Sequence, residues 1–184
     1  MKKTVLVTCV LGLVISASFM TSCSKSSSST TKSLYDSLGG TTMVTDPAAP
    51  TTKIEQGRLN LRSVVDSTIL VIAGDTALNT KFFSVLLGEL GASNTTGYTA
   101  LQKNLTDFFC YATGAKNFTY SGKSMSAAHD PAQNSRMGQK AASADFDKFV
   151  GDLVAGATKC GVSTQLIGQV GALVGTLKTQ VVQQ

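Results

Sequence analysis

The sequence predicts an all-α domain. Apolar side chains recur at helical spacing in four stretches, about residues 61–73, 101–112, 146–157 and 162–181. No two-residue hairpin turn and no sustained apolar–polar alternation interrupts them. With 184 residues, 42% of them hydrophobic and 15% charged, the chain has material for one ordinary domain plus extras.

The extras lie at the amino terminus. Lys2 and Lys3, an apolar run over residues 5–20, and Met20-Thr21-Ser22-Cys23 together have the three-part build of an export signal. The run is shorter than the roughly 20 apolar residues of a spanning helix. Its close resembles a bacterial lipobox, with methionine where leucine is usual. That resemblance implies a signal peptide over residues 1–22, lipidation of Cys23, and tethering to a membrane of the bacterial cell envelope. With Ser24 after the cysteine, the implied destination in a Gram-negative cell is the outer membrane. Residues 24–32 are a Ser/Thr tract with two lysines, too polar to bury surface, and read as a flexible tether. Setting aside Lys2 and Lys3 lowers the formal net charge of +5 by two, to +3. Charge so mild and scattered gives no reason to expect nucleic acid as a partner.

The domain is expected over residues 33–184. Residues 33–40 read as one or two helical turns ended by Gly39-Gly40. Residues 41–57, with few large apolar side chains, read as an inserted loop of unusual length. In 61–73, Val64, Val65, Ile69 and Ile72 favour a helix, although their β-branching leaves a strand open. Leu101, Leu105, Phe108 and Phe109 form one helical stripe, and Phe146, Phe149, Val150 and Leu153 another. The last stripe runs from Val162 to Val181, about five turns. Gly161 caps the helix before it, and Ser163 starts the next. The two longest stripes are expected to pair antiparallel. Cys110 and Cys160 either pair in an oxidising compartment or stay as free thiols.

The most informative stretch is Tyr120-x-Gly122-x-x-Met125-x-x-x-His129, which holds the sole histidine. Asp130-Pro131 follows, and proline disfavours helical geometry in the residue before it. A short helix ending there presents the imidazole from its last turn, on the face of Met125. Histidine is the commonest metal ligand. No Cys-x-x-Cys-His is present, which excludes the covalent haem attachment that motif provides.

That stretch resembles the most diagnostic segment of the group I truncated haemoglobins. Ser33 to Gly40 resembles the family's short first helix with its Gly-Gly end. Val64-Val65-Asp66 resembles the start of the second helix, Phe82-Phe83 the paired phenylalanines after it, and Leu101 to Phe109 the distal helix. Residues 144–162 and the final stripe resemble the last two helices. The resemblance implies a two-over-two helical sandwich around b-type haem, with His129 as the proximal ligand of the iron. It places Phe83 against the porphyrin and Phe109 near an apolar pocket. Met125 shares the proximal face, and Tyr120 and Lys123 stand beside the propionates. The implied partners are oxygen or other diatomic gases, NO and CO.

The distal side departs from the family. Thr68-Ile69 stand where Phe-Tyr is common, and Leu105 stands where glutamine is frequent. Ile69, Leu101 and Leu105 are therefore expected to form a distal wall without a hydrogen-bond donor, unless Tyr98, Gln102 or Lys103 swings in. The expected function is reversible gas binding. The alternatives are a haem-dependent enzyme, either a nitric oxide dioxygenase served by an unidentified reductase or a peroxidase-like protein, and a globin-like lipoprotein that has lost haem.

Overall fold

The computed structural model describes residues 32–184; the expected signal peptide, Cys23 and nearly all of the Ser/Thr tether lie outside them. The elements are α1 (Leu34–Ser37), β1 (Met43–Asp46), β2 (Ala49–Glu55), α2 (Gln56–Gly74), α3 (Thr76–Phe82), α4 (Ser84–Gly91), α5 (Thr96–Ala112), α6 (Met125–His129), α7 (Ser143–Lys159), α8 (Thr164–Gly175) and α9 (Lys178–Val181). Helix α2 packs most broadly on α7 and next on α5, while α7 packs on α8. The long helices thus form two pairs, α2 with α5 and α7 with α8, joined chiefly through α2 and α7. The core between them is built from Leu61, Val65 and Ile69 of α2, Phe109 and Cys110 of α5, and Phe146 of α7. Among the described residues no helix is long and apolar enough to cross a membrane.

Local chemistry accounts for the helix ends. The Ser33 hydroxyl accepts from the Asp36 amide at 3.0 Å while the Asp36 carboxylate accepts from the Ser33 amide at 3.1 Å, a capping box that starts α1. Gly39 and Gly40 follow with φ of +123° and +59°, conformations that favour glycine. A Cβ on Gly39 would meet Gln56 at 2.7 Å, so this turn lets α1 lie close to the start of α2. Helix α7 ends at Lys159 and Gly161 has φ +71°, while Ser163 caps α8; both ends agree with the sequence reading. Where α2 and α7 cross, a Cβ on Gly156 would lie 2.5 Å from the Thr68 hydroxyl and 2.8 Å from its amide nitrogen.

Three expectations need correction. The stretch 41–57 is not an irregular loop. It holds an antiparallel hairpin, with Met43 opposite Glu55 and Asp46 opposite Ala49, before α2 begins at Gln56. The connection is the two residues Pro47-Ala48, with the Asp46 carboxylate accepting from the Ala48 amide at 2.8 Å. Both faces of most of the hairpin meet solvent, so it carries no alternating apolar pattern. Arg62 of α2 grips Asp46 through two hydrogen bonds of 2.9 and 2.6 Å and holds the hairpin to the domain. Second, α2 spans Gln56–Gly74, so Val64-Val65-Asp66 lie in its middle rather than at its start. Third, the final stripe is two helices. It breaks at Thr176-Leu177, after which the chain turns so that the Gln183 amide donates to the Ala141 carbonyl at 3.0 Å. The expected pairing of α7 with α8 is present, beside a broader packing of α2 on α7 at the Gly156 crossing.

Cys110 and Cys160 are both free thiols. Cys110 is fully buried beside the Arg58 guanidinium, and burial pushes its thiol up to about 11. Cys160 is exposed at the C-terminal end of α7, where its thiol donates to the Ser63 carbonyl at 3.3 Å.

Candidate functional site

A cavity of about 420 Å³ opens among α2, α5, α6 and α7, within the range of about 300–1,000 Å³ typical of small-molecule and cofactor sites. All nine residues expected to touch a cofactor line it: Ile69 from α2, Phe83 after α3, Leu101, Leu105 and Phe109 from α5, and Tyr120, Lys123, Met125 and His129 from the segment around α6.

The segment 120–129 is shaped by its own side chains. The Tyr120 hydroxyl donates to the Lys123 carbonyl at 2.7 Å and closes a turn over Gly122. A Cβ on Gly122 would lie 2.5 Å from that hydroxyl and 2.6 Å from the ring, so the spacing Tyr-x-Gly is a packing requirement. The Tyr120 ring stands edge-on to Phe108 at 5.5 Å, which fixes the turn against α5. Ser124 then caps α6, its hydroxyl accepting from the Ala127 amide at 3.2 Å. The helix stops at Asp130, extended at φ −95° and ψ 117° before Pro131, as the proline rule requires.

His129 sits in the last turn, half-buried, with Nδ1 2.8 Å from the Met125 carbonyl oxygen. A carbonyl only accepts, so Nδ1 carries the proton and Nε2 keeps its lone pair. Burial lowers the imidazole's pKa below its ordinary value of 6.5, against a smaller upward effect from the Met125 carbonyl. The ring is therefore neutral at pH 7, the state that ligates a metal. Among the described residues, metal-binding side chains nowhere gather in threes. A bare zinc site needs three or four protein ligands. One oriented imidazole in an apolar cavity instead suits a metal whose other ligands come with its cofactor.

Ile69, 3% exposed, lines the same cavity with Leu101 and Leu105. Apart from Asn104, which lines the cavity between Leu101 and Leu105, the polar side chains near this wall are engaged elsewhere. The Thr68 hydroxyl donates to the Val64 carbonyl at 2.8 Å. The Tyr98 hydroxyl and the Gln102 amide both donate to Asp66 Oδ1, at 3.0 and 2.5 Å, and neither residue lines the cavity. Lys103 pairs with Asp107 at 2.6 Å on the surface.

Sequence reasoning missed four polar residues of the lining: Asp145, buried and paired with Lys81 at 2.7 Å, and three at the margin. Arg136 lines the cavity and pairs with Glu89 at 2.6 Å across Gly97, where a Cβ would meet Glu89 at 2.0 Å. Asn134 also lines it and donates to the Ala128 carbonyl at 2.7 Å, satisfying an end carbonyl of α6. Asn104 lines it from the exposed flank of α5. None of the three stands in a motif. Asn104, three residues after Leu101 and on the same helical face, was the one that spacing alone could have found. Lys123 donates to the Gln133 carbonyl, leaving Lys123 and Arg136 as the cations on the cavity lining.

No protein-family model matches the sequence, and no curated protein sequence matches it. Solved structures do match its fold. A mutant truncated hemoglobin from Tetrahymena pyriformis, in its Fe(III) form, matches at TM-score 0.57 and 18% identity, over 83% of this chain and 99% of the other. The 2/2 hemoglobin from Synechococcus sp. PCC 7002, in the cyanomet state and with covalently attached heme, matches at TM-score 0.57 and 24% identity over the same shares. The chain has the truncated-haemoglobin fold, the two-over-two arrangement that the family resemblance implied.

Proposed function

We propose that this chain is a haem-binding globin that takes up diatomic gases reversibly and is tethered by lipid at Cys23 to a bacterial envelope membrane. The observation that carries the haem reading is the orientation of His129. Its Nδ1–H is held by the Met125 carbonyl, which leaves a neutral Nε2 in an apolar cavity of cofactor size. The haem is of the non-covalent b type, since no cysteine lines the cavity and His129 is the sole histidine. Phe83, Phe108 and Met125 supply apolar walls for the macrocycle, and Lys123 and Arg136 supply positive charge for its carboxylates. When bound, the haem would supply an iron, held by His129, to which a gas can bind. Ile69, Leu101 and Leu105 exclude water there and offer no hydrogen bond.

That wall favours gas binding over nitric oxide dioxygenation and peroxidase-like chemistry, both of which need polar groups to polarise the ligand. The cavity and its oriented imidazole favour haem retention over loss. The test is hemin titration of the chain beside a His129→Ala variant. The native chain is expected to give a protein-bound Soret band that shifts or collapses in the variant. A native chain that leaves hemin free in solution would refute the reading.

A further inference from the structure

We propose that Asp66 is a positioning residue that holds two long-reaching hydrogen-bond donors, the Tyr98 phenol and the Gln102 amide, off the distal wall by tethering them outside the cavity. The inference rests on the haem reading above and concerns which gases such a site prefers.

Asp66 lies on α2 three residues before Ile69, and Tyr98 and Gln102 lie one turn apart on α5. Gln102 follows Leu101 directly, and Leu105 is three residues further on. The tether thus sits along the seam where the two distal helices meet, beside the residues that form the wall. Both donors converge on a single oxygen, Asp66 Oδ1, at 3.0 and 2.5 Å. A shared carboxylate acceptor makes each a charge-assisted bond, stronger than a neutral one. Burial and the contact with Asp66 push the Tyr98 phenol up to about 12, so it stays a protonated donor at neutral pH. Two long-reaching donors stand next to Ile69, Leu101 and Leu105, and one carboxylate holds both of them back.

The chemical consequence is a choice among ligands. Oxygen bound to ferrous haem develops negative charge on its outer atom and gains from a nearby donor. Carbon monoxide and nitric oxide develop less. With its donors tethered, the site favours the less polar diatomic gases. Once released, Gln102 or Tyr98 is free to turn inward and restore oxygen retention.

The experiment uses the full chain in detergent. In the haem-free chain the Gln102 side-chain amide is followed by nitrogen–proton NMR. Slow exchange with water is expected in the native chain and in Asp66→Asn, which keeps an acceptor oxygen, and fast exchange in Asp66→Ala. Equal exchange in all three overturns the tether whatever becomes of haem. In the haem-loaded ferrous chain, oxygen release is timed by displacement with carbon monoxide. Asp66→Ala is expected to slow release by about tenfold, the effect of roughly one gained hydrogen bond. Asp66→Asn and the triple variant Asp66→Ala/Tyr98→Phe/Gln102→Leu are expected to keep the native rate. In the native background, Tyr98→Phe/Gln102→Leu is expected to leave release unchanged; faster release would show that the donors already act in the pocket and would overturn the proposal. That last arm decides the matter even if Asp66→Ala does not fold. A chain with the tether intact that takes up no hemin refutes the haem reading and, with it, any role of Asp66 in gas selection.

Discussion

Replacing Gly156 by alanine measures how tightly the two layers are locked together. At the α2–α7 crossing an added Cβ would stand 2.5 Å from Thr68 Oγ1, 2.8 Å from its amide nitrogen and 2.9 Å from its Cα. Two of those atoms are backbone, so no rotamer change relieves them and the helices must part. In a helix interior alanine is otherwise better than glycine by about 0.5–1 kcal/mol. Overpacking a close contact costs about 1–3 kcal/mol. With three atoms inside 3.0 Å the cost lies towards the upper end, for a net loss of about 2 kcal/mol or somewhat less. In a domain of this size that lowers the Tm by about 2–8 °C. Gly151 on the same helix is the control, because a Cβ there meets nothing within 4 Å. Gly151→Ala is expected to stabilise by about 0.5–1 kcal/mol. Both variants are measured by urea and thermal unfolding of the haem-free chain. A Gly156→Ala chain as stable as Gly151→Ala would show that the crossing yields freely, and the account of the dominant helix pair would be wrong. The neighbour of Thr68 is Ile69, so forcing α2 outward also moves the distal wall and should weaken hemin binding.

Three further predictions follow from the site and the tether. Leu105→Gln and Ile69→Tyr each place a donor on the distal wall and should slow oxygen release by about an order of magnitude in stopped-flow displacement, for a hydrogen bond of about 1 kcal/mol or more; unchanged rates in both would remove those residues from the wall. Because burial lowers the His129 pKa below 6.5, the unfolded chain binds a proton that the folded chain refuses between the two values. The His129 contribution to stability of the haem-free chain is thus whole above pH 6.5 and is lost as pH falls through the lowered folded value, and the urea midpoint of His129→Gln should fall less across that window. Cys23→Ala should move the chain from the membrane fraction to the soluble fraction of lysed cells; persistence in the membrane fraction would refute the lipid tether.

The stretch around His129 was legible because its determinants are local. The Tyr120 turn, the Ser124 cap, the Met125 carbonyl and the Pro131 stop all fall within about a dozen residues, where spacing alone reports geometry. The Gly161 and Ser163 boundary was legible for the same reason. The hairpin was not, because its Pro47-Ala48 turn lacks glycine or asparagine and its strands alternate between two solvated faces. Helices α3 and α4 went unread because each is too short to repeat an apolar stripe. Arg136, Asn134 and Asn104 reach the cavity from places that only the folded chain brings together, and the Asp66 tether joins side chains 32 and 36 residues apart.

Helix α6 has only five residues, too few to persist alone. Beyond its own cap, it is held by Asn134 at the Ala128 carbonyl and by Gln183, whose side-chain amide donates to the Ser126 carbonyl at 2.8 Å across 57 residues. The same Gln183 ties its backbone to Ala141, and α9 packs on α6. Closing a contact over that separation is entropically late in folding. The imidazole is therefore written early in the segment that carries it but aimed last. On the haem reading proposed above, a chain emerging from its amino end would hold His129 in its aimed position only once residues 181–183 have docked on α6.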